Sequence, residues 1–251
     1  MHQGTLAGFE DYGGLNPVPG SPMPQNPTQR KASRRLNRIR MSTRARSAPG
    51  VLATNSASPE QPVAVIILPV TAPLSPSSEG LRRVAAALQD RGFATFLAEL
   101  LSPEETEHGY HNFDFEMLAE RISEVTKRLR REPTFADLPI GYFGTSTDAT
   151  ALIIVAAQPD CPAGALVMCD ARPELASAAL SRVHAPTLFL VEDEEPALDL
   201  NRSALAKLVC RGELAILRGL GNGLASSEIA RHAARLAGNW FETHLQRQQG
   251  G

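Results

Sequence analysis

The chain has 251 residues, of which 43% are apolar and only 5% aromatic, and a formal net charge of −2. That length holds one large domain or two small ones, around a core that must be mostly aliphatic. No apolar run approaches the roughly 20 residues of a membrane helix, and Met1-His-Gln-Gly-Thr leads into no apolar segment. Neither a membrane span nor a secretory leader is therefore expected.

The charge is unevenly spread. Residues 1–61 carry eight Lys and Arg against three acidic residues, so the rest of the chain is acidic and poorly suited to hold nucleic acid itself. The first 28 residues are rich in Gly and Pro, Arg30–Arg46 is a basic run, and 47–61 is rich in Ala, Ser and Pro. Such composition cannot bury enough apolar area to offset its ordering entropy. Residues 1–61 are thus expected to form an unstructured extension. Three roles are open for it: a dispensable segment, an organelle-targeting segment, or a basic arm contacting nucleic acid or an anionic surface through Arg30–Arg46. Cys161, Cys169 and Cys210 make no even framework and no C-x-x-C pair. They read as reduced thiols in a cytoplasmic protein.

From Val63 short apolar runs alternate with amphipathic stretches. The expected strands are Val63–Leu68, Ala94–Leu100, Ile140–Gly144, Ala165–Cys169, Thr187–Glu192 and Leu214–Arg218. Near-continuous apolar runs of this length suit parallel strands covered on both faces. The expected helices are Glu79–Asp90, Phe113–Arg131, Thr147–Ala157, Pro173–Ser181, Pro196–Cys210 and Ser227–Leu245. Phe115, Leu118, Ile122, Val125 and Leu129 recur at helical spacing. Gly92 is placed to cap the first helix in a left-handed conformation. The alternation predicts a doubly wound α/β domain over 62–251: a mostly parallel six-stranded sheet with helices on both faces.

One junction carries chemistry. In Leu138-Pro-Ile-Gly-Tyr-Phe-Gly-Thr-Ser-Thr-Asp a strand, a tight turn and a helix meet at Ser146. This is the layout of a nucleophile elbow, G-x-S-x-G, with Asp148 in place of the last Gly. An elbow lifts a serine hydroxyl out of the sheet edge and aims backbone N–H groups at the same point. Alternatively, Ser146 is a plain cap on the following helix.

Together with Arg91-Gly-Phe-Ala-Thr-Phe-Leu-Ala-Glu-Leu-Leu-Ser-Pro-Glu-Glu, Ala185-Pro-Thr-Leu-Phe-Leu-Val-Glu-Asp-Glu-Glu-Pro and Ala234-Arg-Leu-Ala-Gly-Asn-Trp-Phe, this string resembles the dienelactone-hydrolase-like branch of the α/β-hydrolase superfamily over about 62–245. The resemblance implies a metal-free and cofactor-free hydrolase of esters or lactones, with its catalytic residues in the order nucleophile, acid, histidine. It places the nucleophile on Ser146. It places the acid on Glu194 or Asp193, although four acids in a row also suit a solvated helix start. It places oxyanion donors at the backbone of Thr147 and of Val70, in a loop where Pro69, Pro73 and Pro76 have no N–H to give.

The position of the histidine base falls on Asn222, in Arg218-Gly-Leu-Gly-Asn-Gly. An amide cannot take a proton from serine, and general acid–base catalysis contributes roughly 10²–10⁴-fold. His108 and His111, in a loop after the second strand, are the candidates for a relocated base, although a solvated loop is the commoner explanation of such a pair. Arg172 is a candidate to hold a carboxylate or phosphate. Two functions follow: a pseudohydrolase that binds a small molecule or a partner without efficient turnover, or a serine esterase or lactonase using a relocated histidine.

Overall fold

The computed structural model describes residues 36–40, 52–56, 62–108, 114–218 and 223–245; for 36–40, 52–56, 103, 107 and 108 the description is of backbone only. Asn222 and His111 lie outside the described residues, as does the basic run Arg30–Arg46 apart from 36–40. The six expected strands are all present as β3 (Val65–Val70), β4 (Ala94–Glu99), β5 (Ile140–Thr145), β6 (Ala163–Cys169), β7 (Thr187–Glu192) and β8 (Gly212–Leu217). They pair in parallel in the order β4-β3-β5-β6-β7-β8. The order reverses at β3, so the crossovers put helices on both faces.

The sheet is wider than the sequence led us to expect. β1 (Leu36–Arg40) and β2 (Leu52–Ser56) form an antiparallel hairpin, and β2 pairs antiparallel with β4, Asn55 opposite Phe96. Leu36–Arg40 and Leu52–Ser56 lie within the stretch expected to be an unstructured extension, and these two segments are strands instead. The physical reason is the edge of β4. Without β2 its outer N–H and C=O groups would lack ladder partners, and pairing them requires backbone alone, not an apolar sequence.

Residues along each strand alternate between two cores. Val65, Ile67, Phe96, Tyr142 and Phe189 pack under α3 (Phe115–Arg131), α4 (Ser146–Ala156) and α5 (Ala197–Leu205). Ile66, Leu68, Phe143, Val167 and Leu190 pack under α1 (Pro76–Asp90) and α6 (Ser227–His244). The helix starts follow capping chemistry. Ser75 Oγ accepts from the Ser78 N–H at 3.2 Å, Asp114 Oδ1 from Met117 at 2.9 Å and Ser226 Oγ from Ile229 at 3.4 Å. Gly92, φ +91°, takes the left-handed cap expected of it.

Two helices differ from expectation. Pro173–Ser181 is replaced by 3-10 turns at Pro173–Ala176 and Leu180–Arg182, held where the Arg172 N–H donates to Thr150 Oγ1 at 3.3 Å. α5 stops at Leu205 because the chain must turn into β8, where Gly212 lies against Leu205. A short α2 (Pro103–His108) forms where a loop was expected.

α1 and α6 are joined at both ends. Near the start of each, Gly80 lies against the backbone carbonyl of Leu224. Near their ends Arg91 donates to both carboxylate oxygens of Glu242, at 2.7 and 2.6 Å, and to Asn239 Oδ1 at 2.7 Å.

Candidate active site

The turn between β5 and α4 has the geometry of an elbow. Thr145 is extended, and Ser146 then adopts φ +53°, a left-handed conformation that costs a serine of order 1–3 kcal/mol. A turn serving only as a helix start would not require it. Gly144 is needed because α4 folds back on it: a Cβ there would stand 2.8 Å from Ala149 Cα and 2.6 Å from Leu152 Cδ1. Ser146 is exposed, at the rim of a cavity of about 300 Å³ between the β3–α1 loop, the start of α1 and the start of α4. Thr71, Ser75, Ser78, Thr147 and Asp148 line it, and so does Val70.

Asp148 inverts the polarity of the elbow. Its side chain is 6% exposed, and Oδ2 accepts the Thr71 backbone N–H at 3.3 Å. In the chain order implied for a hydrolase, an N–H from this loop serves the oxyanion. Here the Thr71 N–H, next to the expected Val70, is taken by a carboxylate. Oδ1 is buried and without a partner among the described residues. Burial pushes the Asp148 carboxyl up to about 6, against the opposing effect of the Thr71 bonds.

A stability prediction follows. Below the unfolded-state value near 3.8 both states are protonated. As pH rises toward 6 the unfolded chain ionises first, so the native state holds the extra proton and stability falls. Above 6 this costs about 3 kcal/mol. Asp148→Asn removes that cost but leaves a buried NH₂ without an acceptor, worth about 1–3 kcal/mol. Urea unfolding at pH 8 should find the variant more stable by about 1 kcal/mol, with the order reversed at pH 4. An unchanged difference between the two pH values would refute the buried ionisation.

The resemblance put the acid on Asp193 or Glu194. Asp193 and Glu194 are exposed at the start of the α5 turn. The carboxylates that converge are Asp170, which follows β6 with φ +50°, and Glu192, the last residue of β7. A Cβ on Gly223 would stand 3.4 Å from Asp170 Oδ2 and 3.7 Å from Glu192 Oε1, so both carboxylates lie beside Gly223. Burial, then the neighbouring charge of Glu192, pushes the Asp170 carboxyl up to about 6. Thr145 pairs with Cys169, so Ser146 and Asp170 each follow a paired residue on adjacent strands. Both carboxylates were missed in the sequence. The available signal was position: each sits where an apolar run ends at the sheet edge, one residue apart in register.

His108 ends α2, with only its backbone described. Arg172 is exposed and paired to Glu174. Among the described residues no three His, Cys, Asp or Glu side chains are grouped to hold a metal.

No family model matches the chain. Two Mycobacterium tuberculosis proteins, one of them named "Putative phosphoribosyl transferase Rv0571c", are 37% identical over 188 residues, 74% of this chain. The chain spans only 42% of the length of either. A dienelactone hydrolase structure from Anabaena variabilis superposes with TM-score 0.76 at 29% identity, covering 84% of this chain and 99% of that one. A cold-adapted esterase from an Arctic intertidal metagenomic library superposes at 0.63 with 14% identity, covering 79% and 91%, a likeness of fold.

With its sheet order, its strained serine turn and these neighbours, the chain has the α/β-hydrolase fold. Within that superfamily it is dienelactone-hydrolase-like.

Proposed function

We propose that this dienelactone-hydrolase-like protein uses its elbow cavity to bind a small molecule, an ester, a lactone or a ligand it does not hydrolyse, with little or no turnover. The observation that carries this reading is the Asp148 carboxylate on the Thr71 N–H. Hydrolysis develops negative charge where the elbow's donors point, and a carboxylate there opposes it. Asn222 at the base position supports the same reading.

A second reading, an active serine esterase or lactonase with His108 or His111 as base, is favoured by one observation. Ser146 keeps a strained φ of +53° and an exposed position, which a hydrolytic nucleophile needs. The chain spans only 42% of the length of the mycobacterial relatives, and neither reading carries their named transferase activity over to it.

A fluorophosphonate probe separates the two. Under the binding reading, labelling of the wild-type chain is slow and p-nitrophenyl acetate is hydrolysed no faster than by Ser146→Ala. Rapid labelling and turnover, both abolished by Ser146→Ala, would establish the esterase.

A further inference from the structure

A second cavity, of about 330 Å³, opens at the other end of β5, between α3, the end of α4 and the turn into β6. Its size falls in the usual range for a small-molecule site, about 300–1,000 Å³. The floor is built: Tyr142, fully buried, shares a 2.7 Å hydrogen bond with Thr126, whose hydroxyl donates to the Ile122 carbonyl at 2.9 Å. On one side Ser123 Oγ donates to Gln158 Oε1 at 3.0 Å.

The charge around it is lopsided. Lys127, Arg130 and Arg131 line the cavity, against Asp160 alone. Neither Lys127 nor Arg131 makes an ion pair among the described residues. Arg130 is fixed, because its Nη1 donates to the carbonyls of Ala136 at 2.6 Å and Leu138 at 2.7 Å, so the guanidinium cannot swing into solvent.

Basic residues in the last turn of a helix ordinarily offset its dipole. Arg128 fits that role on its own, paired with Glu124 at 3.0 Å. The dipole does not require Lys127, the residue before Arg128, nor that three cations meet over a polar floor. A concavity holding three positive charges and one negative has an unbalanced field, which a bound anion relieves. A fixed guanidinium whose Nε and Nη2 make no hydrogen bond among the described residues suits a tetrahedral or planar oxyanion. Val155, Pro162 and the Tyr142 ring leave room for a small apolar body beside it.

We infer that this cavity is a binding site for a small organic phosphate, with the phosphate held by Arg130, Lys127 and Arg131 and an apolar body over Tyr142. It is independent of the elbow and of whether Ser146 reacts.

Calorimetric titration of the full chain with phenyl phosphate, inorganic phosphate and phenol tests it. Phenyl phosphate is expected to bind saturably and more tightly than inorganic phosphate, with phenol not binding. The charge reversal K127E/R131E, on two exposed side chains that leave the core untouched, should weaken phenyl phosphate by about tenfold or more. Thermal unfolding of that variant checks that it folds. Absence of saturable binding, or equal binding by the variant, would overturn the site. Equal affinity for phenyl and inorganic phosphate would overturn the organic body.

Discussion

Replacing Asp148 with Gly is expected to raise the rate of fluorophosphonate capture by Ser146 about a hundredfold. With the carboxylate ~6 Å from the developing oxyanion and an effective dielectric of ~20, Coulomb repulsion is nearly 3 kcal/mol, about a factor of a hundred in rate. The substitution also frees the Thr71 N–H, and one oxyanion donor contributes roughly 10²–10³ in known hydrolases. Both effects act on one transition state, so their product is an upper bound. Gly in the first turn of α4 costs helix stability of about 1 kcal/mol, which loss of a buried charge offsets. Turnover of an acyl ester should still remain far below that of an efficient hydrolase, because Asn222 supplies no proton acceptor. The measurement is the second-order labelling rate of wild type, Asp148→Gly, and Asp148→Gly with Ser146→Ala. If the first two rates are equal, the carboxylate is not what holds the serine back.

The second large effect is structural. Gly80→Ala is expected to destabilise the fold by about 3 kcal/mol or more, lowering the thermal midpoint by about 6–12 °C. A Cβ on Gly80 would stand 1.8 Å from the Leu224 carbonyl oxygen and 2.5 Å from its carbon. Those are backbone atoms at the start of the α6 region, so no rotamer change relieves the overlap. Alanine's better helix propensity, worth up to about 1 kcal/mol, works the other way and is outweighed. Gly92→Ala is the informative control. Its Cβ would meet nothing within 4 Å, and only its φ of +91° opposes the change, so a loss of about 1 kcal/mol is expected there. A Gly80→Ala protein as stable as the wild type would mean that α1 and the Leu224 segment are not in this contact.

The sequence displayed the six core strands because each is a nearly unbroken apolar run, and burial on two faces leaves that signature. It did not display β1 and β2. Leu36–Arg40 and Leu52–Ser56 are polar and basic in part, and what holds them is ladder pairing to an edge, which any residue but proline can offer. Ser146 was legible because the elbow needs a glycine where α4 folds back and a serine at the turn. The role of Asp148 was half legible. Its conflict with an oxyanion was readable from position alone, but its bond to Thr71 depends on how the β3–α1 loop bends.

The convergence of Asp170 and Glu192 was hidden for a different reason. Asp193 and Glu194 stand where a loop was expected to follow β7, but the strand keeps its last acid, Glu192, at the sheet edge, and the next residues turn out to solvent. Asp170 belongs to a neighbouring strand, so no spacing in the sequence ties it to Glu192. Only lateral order in the sheet does.

α1 is tied to α6 and to the turn that leads into it at two points, by Gly80 on Leu224 and by Arg91 on Glu242 and Asn239, so the two helices form one plate on that side of the sheet. The wall that Ser75 and Ser78 contribute to the elbow cavity is the leading end of that plate. It cannot swing outward without carrying an 18-residue helix with it.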